Sequence, residues 1–180
     1  MNQNLFFTPT DILLPAHADM RRWSVIACDQ FTADAGYWQA VQDTVGDAPS
    51  TLRLMLPEFY LGKCDEAAAT REIQQTMRRY LDDGVFRTVP HSLVLVQRTL
   101  PGGAVRCGVV GALDLEAYDY APDSVTPIRA TEGTVASRLP ARVRIRAAAA
   151  LEMPHIRPSF LASSLAVSRA SSSVTVITWS

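Results

Sequence analysis

At 180 residues with 48% hydrophobic composition the chain can bury one substantial core. Its formal net charge of -1 removes the bulk positive field that nucleic-acid binding would use. Cys28, Cys64 and Cys107 are far apart, odd in number and outside any CxxC or Cys/His cluster, so neither a disulfide framework nor a structural zinc site is indicated and a reducing cytoplasm fits best.

The N-terminal MNQNLFFTPTD lacks a basic region leading into a long apolar core. No apolar run reaches the roughly 18 residues that cross a bilayer, so a soluble, untargeted, cytoplasmic protein without a membrane partner is expected. In DILLPAHADMRRWSVIACDQ the apolar run Trp23 to Cys28 reads as an inner strand ending at a polar loop. Asp29 then lies where strand ends face ligands, as a substrate or metal-water partner, or else as a cap for the next element; Thr32 and Asp34 also suit that cap.

Between Ala33 and Val45 the spacing of Tyr37, Trp38, Val41 and Val45 predicts an amphipathic helix ended by Gly46, with the aromatic pair assigned to packing. Thr51 to Leu56 leans towards strand, and Glu58 to Gly62 reads as a turn. The stripe Ala69, Ile73, Met77, Tyr80 and Leu81 predicts a helix from Asp65 to Asp83 with Gly84 as its stop. Ser92 to Thr99 and Ala104 to Leu113 read as a β-hairpin turning at Leu100-Pro101-Gly102-Gly103, which would set Arg98 almost opposite Arg106.

The segment Asp114 to Tyr120 is rich in carboxylates, and Asp114 with Glu116 is a candidate Mg²⁺ pair as well as an ordinary solvated acidic loop. Next comes IRATEGTVASRLPARVRI, the most chemically loaded stretch. Arg129, Arg138, Arg142 and Arg144 suit phosphate or carboxylate oxygens, and Glu132 lies among them as base, metal anchor or counter-ion. Gly133 between Thr131 and Thr134 would let backbone N–H groups approach an anion. The alternation Arg142-Val143-Arg144-Ile145-Arg146 suggests a strand, and Ala147 to Leu151 a short helix.

Of the histidines, His91 after Pro90 belongs in a turn, and His155 is the one candidate for chemistry beside a structural reading; His17 stands alone. Cys28 reads as a small buried residue. Residues 157–180, crowded with serine and free of acids, form an atypical tail expected to be disordered or a non-native continuation. The whole predicts an α/β or α+β fold over 1–156 with a mixed sheet, one hairpin and two main helices.

The runs LLPAHADMRRWSVIACDQF, YWQAVQDTVGDAPSTLRLMLPE, GAVRCGVVGALDLEAYDY, IRATEGTVASRLPARVRIR and ALEMPHI together resemble the N-terminal part of the uncharacterised DUF1015 family, from residue 11 to about 156. Longer members carry a later Asp-Gly-His-His-Arg-type motif similar to one in ParB-like and free-serine-kinase-like proteins, and this sequence has none. The resemblance implies a nucleotide or phosphate site of which this chain holds part, in a truncated or frameshifted, inactive copy. Its matching positions are Arg129, Thr131, Glu132, Gly133, Thr134, Arg138 and Arg142, with Asp29 and His155.

Three functional readings are open. In the first, arginines bind nucleotide phosphates, Glu132 and Asp29 are catalytic, and Mg²⁺ assists a phosphotransferase or hydrolase reaction. The second is a regulatory module that binds a small anion or nucleotide without turnover. In the third the arginines pair with Glu116, Asp119, Glu132 and Glu152 in a purely structural network. DNA binding is disfavoured, since no basic helix-turn-helix pattern is visible.

Overall fold

A computed structural model describes residues 6–119, 121, 123–129, 135–153 and 173–179, with the side chains of Arg129 and of 173–179 outside that description. The fold is α+β. Two compact units make up the chain: Pro15–Arg87 with Thr134–Arg157, and Met1–Leu14 with Thr88–Gly133 and Pro158–Ser180.

The first of these units is mainly helical. Helix α1 (Met20–Trp23) is a single turn capped by Asp19, whose side chain accepts from Arg21 N. The strand expected at Trp23 to Cys28 does not form. Trp23 ends α1, and the following backbone is held by side chains: Thr51 Oγ1 donates to Trp23 O at 2.8 Å and accepts from Val25 N at 3.2 Å. With those groups already satisfied, no ladder is needed. Thr51–Leu54, also expected to be extended, is a 3₁₀ turn capped by the Ser50 hydroxyl.

Helix α2 (Ala35–Val45) follows the predicted stripe, with Asp34 at its N-cap accepting from Tyr37 N. It stops at Gly46, whose φ of +52° is cheap only without a Cβ. Trp38 is fully buried and donates from Nε1 to Phe31 O at 3.0 Å. That bond helps hold Phe31 at a φ of +50°. Tyr37 is half-buried and stacks on Phe31, with ring centroids 4.0 Å apart.

Helix α3 (Glu66–Asp82) starts at Asp65, whose side chain accepts from Ala67 N and Ala68 N, both at 3.0 Å. Its stripe of Ile73, Met77 and Tyr80 packs with Trp23, Leu54 and Ile145 as the core of this unit. Burying a side chain such as Met77 contributes about 1.5–3 kcal/mol. Tyr80 also accepts the Ser50 N–H at 3.0 Å, which ties the 3₁₀ turn to the helix.

The alternating RVRIR segment lies in helix α4 (Leu139–Arg146) rather than in a strand. Pro140 fits the first helical turn, and the buried pair is Ala141 with Ile145, four apart on one helical face. The charge alternation therefore concealed a helical period. Residues Ala147 to Leu151 run on from α4 as turns and bends.

The other unit is built on strands. β1 (Phe7–Thr8) pairs antiparallel with β5 (Ala112–Leu113). β2 (Thr10–Pro15), β3 (Phe86–Thr99) and β4 (Val105–Val110) form a sheet in that order. The β3–β4 hairpin closes through Leu100 N donating to Ala104 O at 2.8 Å, with Gly102 and Gly103 at φ +96° and +87°. Arg98 lies directly opposite Arg106.

His91 stands within β3, not in a turn, but its φ of +44° kinks the strand and its N–H donates to Asp11 Oδ1 at 2.9 Å. β6 (Tyr118–Asp119) pairs parallel with β7 (Ile128–Arg129). Within the stretch expected to be disordered, the backbone of Ser173–Trp179 forms β8, parallel to β3 with Ser92 opposite Ser173.

Candidate anion-binding site

Helix α4 and the turn before it present Arg138, Arg142, Arg144 and Arg146 and no acid. Like charges four apart on a helix repel, so this segment needs anions from elsewhere in the chain. Glu58 supplies the central one. Pro57 leads into the 3₁₀ turn Glu58–Tyr60, and the Glu58 N–H is anchored on Cys28 O at 2.8 Å.

The Glu58 side chain is only 6% exposed, and each carboxylate oxygen meets a different guanidinium: Oε2 with Arg138 Nε at 3.0 Å and Oε1 with Arg142 Nη2 at 2.7 Å. The arginine side chains keep 40% and 42% exposure. One carboxylate between two guanidiniums leaves one positive charge uncompensated within the triad. Most of the five N–H donors on each fork are also unused by Glu58.

Asp29 follows Cys28, the residue whose carbonyl anchors Glu58. Burial pushes the Cys28 thiol above its ordinary pKa, Arg142 pulls the other way, and Asp29 and Glu58 reinforce the rise. Cys28 is thus the small buried residue expected, in a loop instead of a strand. Asp29 itself is exposed and accepts from Gln30 Nε2 at 3.1 Å. The helix-capping alternative belongs to Asp34.

The rest of α4 is fastened to α3. Arg144 pairs with Glu66, Arg146 with Glu152, and Gln74 Nε2 donates to the carbonyls of Arg144 and Ile145 at 2.9 and 3.0 Å. Arg78 donates to Ala148 O at 3.2 Å. Of the acids expected to form such a network, Glu152 takes part; Glu58 and Glu66 were not foreseen. Their arginine partners are 84 and 78 residues away, and no local signal announces such pairs.

The other sequence-predicted positions lie in the strand-built unit or outside the described residues. Asp114 caps the turn Leu115–Ala117 by accepting from Glu116 N at 3.0 Å, and Glu116 is exposed. Among the described residues no group of three or more His, Cys, Asp or Glu side chains is placed to hold a metal. Asp114, Glu116 and the backbone of Arg129 belong to the strand-built unit, whereas Asp29, Arg138 and Arg142 belong to the helical one. Thr131, Glu132, Gly133, Thr134 and His155 lie outside the described residues. No described helix is long and apolar enough to cross a membrane.

Neither the curated proteins nor the solved structures contain a match to this sequence. A family model described as "Protein of unknown function (DUF1015)" does match, and its match extends past residue 156, where the resemblance read from the motifs stopped. Matched from residue 9 to residue 175, the chain belongs to the DUF1015 family.

Proposed function

We propose that the Glu58-held pair Arg138 and Arg142 forms an oxyanion-binding surface, for the phosphate of a nucleotide or of another small anionic ligand. The observation that carries this is one nearly buried carboxylate orienting two half-exposed guanidiniums. Such an arrangement fixes the forks in advance, so less side-chain entropy is lost when an anion arrives.

A ligand at about ten times its Kd would add roughly 1.4 kcal/mol to the stability of the folded chain. The test is a thermal melt with phosphate, ADP, ATP or CTP, with and without Mg²⁺. The expected result is an upward shift for at least one of them, abolished in R138Q/R142Q. No shift with any of these ligands would refute the proposal.

A finer reading, in which a longer family member is a ParB-like or serine-kinase-like phosphotransferase or hydrolase, assigns catalysis to Glu132 and Asp29. It adds Arg129, Thr131, Gly133 and Thr134 to the anion's partners. The described carboxylates, Asp114 and Glu116 included, do not fit a dedicated Mg²⁺ cage. Nucleotide turnover lost in E132Q with affinity intact supports catalysis, whereas saturable binding without turnover supports a regulatory module. A purely structural clamp is favoured by the pairing of Arg138, Arg142, Arg144 and Arg146 with acids. It predicts that E58Q lowers stability while no anion raises it.

A further inference from the structure

We infer that the β3–β4 hairpin is a docking edge for an extended acidic segment of a partner protein, added as a further strand beside β4. Two positive charges meet on this hairpin with no ion-pair partner among the described residues. Arg98 and Arg106 are directly opposed across the ladder, both are exposed, and among the described residues neither makes an ion pair. Like charges facing each other across strands destabilise the pair.

The backbone supplies a second, independent feature. Among the described residues β3 is the only sheet neighbour of β4, so β4 is an edge. The bond from Leu100 N to Ala104 O sets the parity of the ladder, so Ala104, Arg106, Gly108 and Val110 turn their polar backbone groups towards β3. Val105, Cys107 and Val109 then turn theirs outward. Val105 is 51% exposed, Cys107 is also exposed, and an added strand could take hydrogen bonds from all three.

The face bearing the arginines also carries Gly108, where even an added Cβ would meet nothing within 4 Å, so a neighbouring side chain has room to lie there. A strand pairing outside β4 runs roughly 4.8 Å from it and places alternate side chains on this face. Glu or Asp at those positions would meet the guanidiniums, while backbone bonds provide sequence-independent affinity. A second copy of the same edge would bring arginines towards arginines, which disfavours self-pairing.

The test uses the full chain and two capped peptides, one alternating Glu with Val and one alternating Lys with Val. The Glu peptide is expected to bind and to slow amide hydrogen exchange at Val105, Cys107 and Val109, while the Lys peptide does neither. R106E should weaken binding roughly five- to ten-fold while leaving the hairpin folded, because it converts the repulsive pair into an attractive one. Cys107→Pro should abolish binding by removing an outward N–H without touching the β3 ladder. Equal binding of both peptides, protection elsewhere, indifference to R106E and Cys107→Pro, or a dimer paired through β4 would each overturn the inference.

Discussion

Replacing Glu58 by Gln removes the negative charge from between Arg138 and Arg142 with almost no change in shape. A buried charge-assisted hydrogen bond contributes about 1.5–3 kcal/mol, and an exposed ion pair about 0–1. Glu58 is 6% exposed but its partners are 40% and 42% exposed, so each bond falls between those limits after solvent screening. At about 1 kcal/mol per bond, E58Q should cost about 2 kcal/mol. The amide oxygen can still serve one arginine, but its NH₂ then faces the other. For a chain of this size the melting temperature should fall by roughly 4–8 °C. Circular dichroism melts of the wild type, E58Q, R142Q and the double variant form a cycle, with an expected coupling of about 1 kcal/mol. A loss in E58Q below about 0.5 kcal/mol, or strict additivity with R142Q, would refute the idea that this carboxylate holds α4.

Other expectations concern packing and protonation. Ala at Gly111 would bring a Cβ within 2.7 Å of Leu93, Phe7 and the Thr8 carbonyl oxygen, so G111A should destabilise the strand unit by about 1–3 kcal/mol, whereas G108A, with open space around it, should not; urea titration compares the two. Cys28 should resist iodoacetamide at pH 8 until the chain is unfolded, while the exposed Cys64 and Cys107 are modified in the native state, as read by mass spectrometry. Because the Cys28 pKa is raised on folding, its contribution to stability is present below the ordinary value of 9.0 and lost as pH climbs through the folded value. Asp65 has the opposite sign: the Ala68 N–H, helped by those of Ala67 and the Arg71 charge, holds its carboxyl below 3.8. Its contribution to α3 is present above 3.8 and lost as pH falls through the depressed value, and D65N should flatten that part of the acid-denaturation profile while keeping a capping side chain.

Elements with strong local signals were legible from sequence. α2 and α3 show a helical stripe with an Asp cap and a glycine stop, and the β3–β4 hairpin has Pro and Gly at its reversal. Misreadings came where a short run fits two periods. In 142–146 every second residue is Arg, but the pair that decides the conformation is Ala141 with Ile145, seen only once the core they enter is known. Trp23 to Cys28 is apolar enough for a strand, yet its backbone is claimed by Thr51. Arg138 and Arg142 could be picked out as charged forks in need of an anion because guanidinium chemistry is local. Glu58 could not, since nothing in PEFY distinguishes a buried ion-pair acceptor from a surface acid.

Helix α4 depends on groups that precede it by long stretches of chain. Its arginines are balanced by Glu58 and Glu66, and the carbonyls of Arg144 and Ile145 are met by Gln74. On a ribosome those groups emerge first, so the cationic segment enters solution opposite a template already able to form. Docking of α4 is then expected as a late step in folding, so that weakening its ion pairs should hasten unfolding while leaving the refolding rate almost untouched, as stopped-flow kinetics of E58Q would read.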